Sequence, residues 1–459
     1  MECFKVYANE IEGRLDPFYY KPEFYELEKK LENLKWKIVK LSDIFEISRG
    51  GSPRPINKFF TTEENGVNWI KIGDTKGVDK YIYKTNQKIK PEGVKFSRVV
   101  KEGDFILSNS MSFGRPYIMK TTGCIHDGWL LLREKDRNLN KEFLYYLLST
   151  NLIYKFFKRV TLGGVVDNLN IDLVKEVKVP LLPLETQEKI VALMDKVYSI
   201  KKSHEVEAQK LLDSISDYIL DELGIKLPEL KDKMSYVVDS SSIRGRVDPY
   251  YYQPKFEEVE KSIYQGKFEV KELKDSFKND LIKGMLPSEE EKDGDIKVLQ
   301  IKNILKNGLI NTSEYVTAKN IFKSEHKIKK EEIIIVITGA TIGKVGLWYS
   351  DEEFYLGGDM IKFSVNNRFN PYFIQAFLLS QAGQYQLMRE ITGATNKHLS
   401  PDNIKAIKVS LPPLEIQNKI AEEVKTRMQK AKKLQEEAKT ILEEAKERVE
   451  RIILGNEEI

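Results

Sequence analysis

The chain has 459 residues, 41% hydrophobic and 31% charged, a globular composition that excludes a fibrous or disordered protein and predicts two to four domains at about 100 to 200 residues each. Its 74 basic and 70 acidic residues leave a net charge of +4, which is too weak to establish a polyanionic partner, although a basic patch can hide in the average. No run of about 18 apolar residues occurs and the first residues, MECFKVYANEIEGRLD, carry acids and no apolar core, so the expectation is a protein of the cytoplasm with neither membrane span nor signal peptide.

Cys3 and Cys124 form no CxxC pair, and His126, His204, His326 and His398 lack ligand spacing, so no metal site is expected. An Asp-Pro-aromatic turn, GRLDPFYYKPEF at 13–24, opens the first half and leads into a short helix over Glu23–Leu34. β-Branched and aromatic runs with glycine turns follow, VNWIKIGD and DFILSNS among them, and read as strands. Helical patterning returns near Lys141–Val160 behind Asn140 as N-cap, and a Leu-Pro-Leu-Glu segment then launches a long helix.

The same order then recurs. GRVDPYYYQPKF at 245–256 matches the opening turn at eight of twelve positions, and GATNKHLSPDNIKAIKVSLPPLEIQNKI at 393–420 matches GGVVDNLNIDLVKEVKVPLLPLETQEKI at 163–190 at thirteen of twenty-eight. The offsets, 232 and 230, describe a tandem duplication of a whole domain. The second copy repeats the short helix (Lys255–Tyr264), the strands (IKVLQIKN, EIIIVITG), a helical patch near Pro371–Ile391 behind Asn370, and a second long helix. Apolar residues step by three or four along both helices, at Ile190, Val197, Ile200, Leu211, Ile215 and Ile219 in the first and Ile420, Val424, Met428, Leu434, Ile441 and Val449 in the second. That spacing is a coiled-coil seam, and Gly224 with Pro228 ends the first helix.

The fold class expected is α+β: two similar domains of short twisted strands with helices, separated by two long antiparallel coiled-coil helices about a pseudo-two-fold. The segments are residues 1–183 and 225–413 for the domains, 184–224 and 414–455 for the helices.

Two motifs suggest enzymes and fail on chemistry. IIIVITGATIGKVG at 333–346 resembles a phosphate-binding loop, but Gly339, Gly343 and Lys344 leave three spacers where four are needed, and Val345 stands where a magnesium-binding hydroxyl belongs. The duplication sets Ser110, Gly114 and Arg115 opposite Gly339, Gly343 and Lys344, so the shared feature is a turn presenting a basic side chain. Asn370-Pro371-Tyr372-Phe373 and Asp248-Pro249-Tyr250-Tyr251 lack the second proline of adenine-methyltransferase signatures, and no glycine-rich turn for a methyl donor is present. No acid–base pair or nucleophile cluster emerges. The reading is a non-catalytic binder.

Two unlike domains followed by rigid helices suit the reading of two unlike DNA half-sites at a fixed separation. Over essentially its whole length the chain resembles the specificity subunit of type I restriction-modification systems. The resemblance rests on Leu182–Ile190 and its twin Pro412–Ile420, on GATNK at 393–397, on Gly103-Asp104 and on SRGGSP at 48–53; GGVVD at 163–167 departs from the pattern. It implies a subunit that reads a bipartite target in double-stranded DNA, one domain per half, with the helices setting the gap and docking two methylation subunits. It also implies restriction subunits as partners, with S-adenosylmethionine, ATP and magnesium bound by those partners and none by this chain.

Base edges are read by Arg, Lys, Asn, Gln, Ser and Thr, and phosphates by cations and glycine-turn amides. The candidates are Arg49, Ser52, Arg54, Lys71, Lys76, Asn109, Ser110 and Arg115 in the first domain. In the second they are Lys283, Gln300, Lys302, Asn303, Thr338, Thr341, Lys344, Asn396 and Lys397. Tyr19, Tyr20, Tyr251 and Tyr252 are expected to pack within their domains, and His126 and His398 to be structural. The alternatives are a two-domain coiled-coil scaffold for proteins, and an orphan specificity subunit without restriction partners.

Overall fold

The computed structural model describes residues 4–7, 11, 15–109, 113–135, 139–161, 169, 171–243, 245–288, 292–319, 321–393 and 397–459. Two compact units emerge, Met1–Ser203 with Glu437–Ile459, and His204–Glu436. The division therefore falls inside the long helices, Leu184–Leu223 and Leu414–Ile453, and each helix contributes a part to each unit.

In the first unit two five-stranded sheets form the globular domain. One orders Phe45–Arg49, Trp129–Glu134, Phe105–Ser108, Pro116–Met119 and Tyr81–Ile82 side by side; the other contains Val67–Ile70 parallel to Gly123–Ile125. Trp129, Ile106, Leu131, Tyr117, Ile70 and Ile125 share a core on one side of the first sheet. On its other side, Phe105, Leu107, Leu130 and Leu132 join Phe143, Leu144, Phe156 and Phe157 of the helices Lys141–Leu148 and Asn151–Arg159. The second unit repeats this with a four-stranded sheet ordered Ile282–Lys283, Met360–Phe363, Ile333–Val336 and Val345–Leu347, and a three-stranded sheet containing Lys292–Leu299 parallel to Tyr355–Leu356.

The helical patch expected near Lys141–Val160 is two helices, because Thr150 accepts a hydrogen bond from the Ile153 amide and starts a new helix; Ser380 does the same for Gly383 in the second copy. Asn140 and Asn370 cap the preceding helices as the sequence implies. Gly224 (φ +67°) closes the first long helix.

The seam residues pack as their spacing dictates. Within the first unit Ile190, Met194 and Val197 share a core with Leu442, Ala445, Val449 and Ile452. Within the second, Ile219 and Leu223 share one with Ile420 and Val424, while Ala208 meets Ala431 and Leu434. The helices run antiparallel there, since Lys430 pairs with Glu207 (3.0 Å) and Lys419 with Glu222 (2.9 Å). Ile200, Leu211, Ile215, Met428 and Ile441 lie at the seam margin, half-buried.

Candidate nucleic-acid interface

Strand register determines which loops meet. In the first domain Arg49 pairs opposite Leu130, Trp129 opposite Ser108 and Leu107 opposite Pro116. Consequently Arg49, the Asp127-Gly128 corner, Asn109 and Arg115 follow one another across a single end of the sheet. Three steps of the usual strand spacing make that row about 14 Å wide. The second domain repeats it: Lys283 pairs opposite Ile361, Met360 opposite Val336 and Val345 opposite Ile335. Lys283, Gly358-Asp359, Thr338 and Lys344 therefore line the matching end.

The second sheet of each domain ends beside the same corner. Val67–Ile70 and Gly123–Ile125 are parallel and finish together; Lys71 follows one and His126 the other, and His126-Asp127-Gly128 carries the chain across into Trp129–Glu134. Gly357-Gly358-Asp359 makes the same crossing from Tyr355–Leu356 to Met360–Phe363. The neighbouring strand passes so close that only glycine fits. A Cβ on Gly50 would lie 2.1 Å from the His126 carbonyl oxygen, and one on Gly284 would lie 1.9 Å from that of Gly357.

Around the first corner, Ser52 Oγ donates to Asp127 Oδ1 at 2.8 Å, Arg54 reaches Oδ2 at 3.4 Å, and Arg49 Nε donates to the Asp127 carbonyl at 3.1 Å. Arg98 leans on the Arg49 carbonyl at 3.5 Å. Arg54 is 82% exposed. Partial burial works to raise the Asp127 pKa, but the Ser52 hydroxyl, its own backbone amide and nearby His126 and Arg54 outweigh it and hold the carboxyl below its ordinary value. The ring nitrogens of His126 face the Ile72 amide (3.2 Å) and the Gly128 amide (2.6 Å), and burial, with Lys71 nearby, lowers its pKa. His126 braces the corner between these two amides. Ser52, Arg54, Trp69, Lys71, His126 and Asp127 line an open cleft of about 790 Å³.

Around the second corner the side chains differ. Lys283 is exposed and Gln300 half-buried, in the places of Arg49 and Lys71. The Gln300 and Lys71 amides donate to Asn303 and Asp74 at 2.8 Å in equivalent turns. Met285 and Leu286 stand where Gly51 and Ser52 stand in the first copy, and Leu286 is 74% exposed.

Other predicted residues lie apart from the corner or are committed elsewhere. Asn109 and Asn303 are buried; the Asn303 amide is spent on the Asn311 and Glu314 carbonyls at 2.7 and 2.6 Å, so neither side chain reaches the surface as the sequence reading expected. Arg115 is exposed and lines a cleft of about 1020 Å³ with Tyr154, Lys446, Glu450 and Arg451. Lys344 occupies the equivalent turn, its pKa lowered by burial and by Lys306. Gly339 and Gly343 adopt φ +85° and +88°, so this stretch is a turn between antiparallel strands and no phosphate loop. Lys76 and Lys397 are exposed, Thr338 and Thr341 half-buried, and Lys302 pairs with Glu314 at 3.5 Å. Ser110, Asn396 and Gly163–Asp167 lie outside the described residues.

Tyr20 and Tyr252 are buried, and cations cover Tyr19 (Arg159) and Tyr251 (Arg246, Arg389). Among the described residues, no His, Cys, Asp and Glu group is placed to hold a metal, and no helix is long and apolar enough to cross a membrane. Asp127, Arg98 and Leu286 were not singled out from sequence; the Asp127-Gly128 pair, a turn signal, was the visible sign for the first.

A model of the type I restriction modification DNA specificity domain matches the chain twice, over residues 33–212 and 265–444. The type I restriction enzyme MjaIX specificity subunit of Methanocaldococcus jannaschii is 23% identical over 328 residues, 69% of each chain. The putative MjaX specificity subunit of the same organism is 22% identical over 414 residues, 85% of this chain and 86% of that one. A solved chain from work on complex assembly and conformational transition of the type I R-M system superposes with TM-score 0.50 at 15% identity, over 92% of this chain and 96% of that one. That likeness is one of fold.

Proposed function

Because the chain belongs to the family of type I restriction-modification DNA specificity domains, which it carries twice, we propose that it is the sequence-reading subunit of such a system and has no catalytic activity of its own. Each domain reads one half of a split, asymmetric target in double-stranded DNA. The helix pair sets the gap between the halves and docks two methylation subunits; these bind S-adenosylmethionine, and restriction subunits bind ATP and magnesium.

One observation carries the reading. Loops far apart in sequence converge on one sheet end in each domain, and the two ends present different side chains: Arg49, Ser52, Arg54, Lys71 and Asp127 against Lys283, Leu286 and Gln300. Exposed cations at such an end supply phosphate contacts, and the polar groups between them reach base edges. Two unlike ends on one framework suit two unlike half-sites.

The test is to co-express the chain with its methylation subunit in a methylation-free host and map methyladenine across the genome. A split motif with two unlike halves is the expected result. A continuous motif, or no methylation although the subunits copurify, overturns the reading.

A further inference from the structure

We infer that the corner where the chain crosses between sheets is the base-reading element that makes the two half-sites different, with Asp127 and Leu286 as its specificity-determining residues. This rests on the function proposed above. Asp127 takes the exocyclic amino group of a cytosine or adenine in the first half-site, and Leu286 takes the methyl group of a thymine in the second.

The argument begins with charge. Asp127 stands among Arg49, Arg54 and Lys71, cations that meet phosphates in the function proposed above. A carboxylate there is repelled by the backbone unless a donor meets it. In the major groove the exocyclic amino groups of cytosine and adenine are the donors on offer, and a carboxylate is the established acceptor for that of cytosine. Geometry then supports base contact. The corner lies between Arg49 and Asn109 in the row, away from its ends, and it is the segment that passes from one sheet to the other.

The carboxylate also has capacity left. Ser52 fills one site on Oδ1 at 2.8 Å, whereas the Arg54 contact to Oδ2 is long, at 3.4 Å, and comes from a guanidinium 82% exposed. Arg54 can turn to a phosphate without unfolding anything, leaving Oδ2 to a base.

The duplication supplies the contrast. Gly358 replaces Asp127 and Asp359 replaces Gly128, so the second corner's carboxylate sits one residue further on, at exposed Asp359, and a Cβ on Gly358 would lie 2.8 Å from the Leu286 Cβ. Leu286, in the place of Ser52, is left 74% exposed beside exposed Lys283. The apolar group that base edges present in the major groove is the thymine methyl. The two copies thus differ at two neighbouring framework positions: Asp127 beside Ser52 in the first, Gly358 beside exposed Leu286 in the second.

The experiment is methyladenine mapping of the assembled methyltransferase carrying Asp127→Asn, Asp127→Ala or Leu286→Ala, beside wild type. Each Asp127 variant is expected to relax or change one position of the first half-site, by roughly 10- to 100-fold in discrimination, with the second half-site and the gap unchanged. Leu286→Ala is expected to relax one thymine position of the second half-site alone, and because the side chain is exposed its truncation leaves folding intact. The identity of the relaxed base separates cytosine from adenine for Asp127.

Unchanged motifs in all three variants overturn the assignment. So does an Asp127 variant that melts like wild type yet loses methylation equally at every sequence, because Asp127 would then only brace the arginines. If wild type itself methylates no split motif, the function proposed above fails and this inference falls with it; a split motif that the variants leave untouched sinks only the inference.

Discussion

At the scale of single residues, the repeated Leu-Pro-Leu-Glu-x-Gln and Pro-Pro-Leu-Glu-x-Gln segments owe their recurrence to their glutamine. Gln187 and Gln417 are buried, 3% and 1% exposed. Gln417 Oε1 accepts from the Asn370 amide at 2.9 Å while its Nε2 donates to the Pro412 and Arg368 carbonyls at 2.9 and 3.1 Å. Gln187 does likewise with Asn140 and Leu182. One side chain thus ties the start of a long helix to the cap of an earlier one. Gln417→Leu removes both roles and strands buried backbone groups, which costs about 1–3 kcal/mol for each group left unsatisfied. Urea unfolding of the intact chain should show that loss, and hydrogen exchange should place it in the second unit. The motif was plain in the sequence; its purpose was not, because the partner lies 47 residues upstream. The same gap hid Asp127, whose partner Ser52 is 75 residues away.

At the scale of elements, the long helices and caps were legible because period and capping chemistry are local, whereas Phe60–Thr61, Tyr81–Ile82, Ile282–Lys283 and Tyr355–Leu356 were not. A two-residue strand is too short to show alternation, and only pairing with distant strands makes it one. Such pairing also explains a charge effect confined to one copy. Glu269–Glu272 pairs with Lys408–Leu411 and sets Glu272 opposite Lys408. Lys274 first and Lys408 second lower the Glu272 pKa from 4.5 to about 2. The folded value lies below the unfolded one, so the carboxylate's contribution is complete above the ordinary value and fades as pH falls through it toward about 2. In the first copy Lys40 faces Lys178, and these pair instead with Glu176 and Glu32. Glu272→Gln should therefore lower the stability of the second unit at neutral pH. The difference from wild type should shrink steadily between about pH 4.5 and pH 2 in unfolding followed by a probe in that unit.

At the scale of the whole molecule, the offset of 230 to 232 residues announced two copies of one domain, and the family match repeats over 33–212 and 265–444. The convergence of loops on one sheet end needed the strand register, which no local pattern encodes. Exchanging residues 35–180 for those of another family member should change one half-site of the methylation motif and leave the other intact; both halves changing together would contradict one domain per half. The helix pair permits a stricter test of the gap. Seven residues are two turns of a coiled-coil seam, so seven inserted after Ala208 and seven before Ala431, where those alanines pack together, keep every apolar position on its face. At 1.5 Å per residue the pair grows by about 10 Å, close to three base pairs at about 3.4 Å each. A gap about three base pairs longer, with both half-sites unchanged, is therefore expected from methyladenine mapping. Four residues inserted at the same places should do worse, because they rotate the seam out of register and separate Ala208 from Leu434; methylation should then fall at every site. An unchanged gap with the seven-residue insertions in place would mean that the helix pair does not set the spacing.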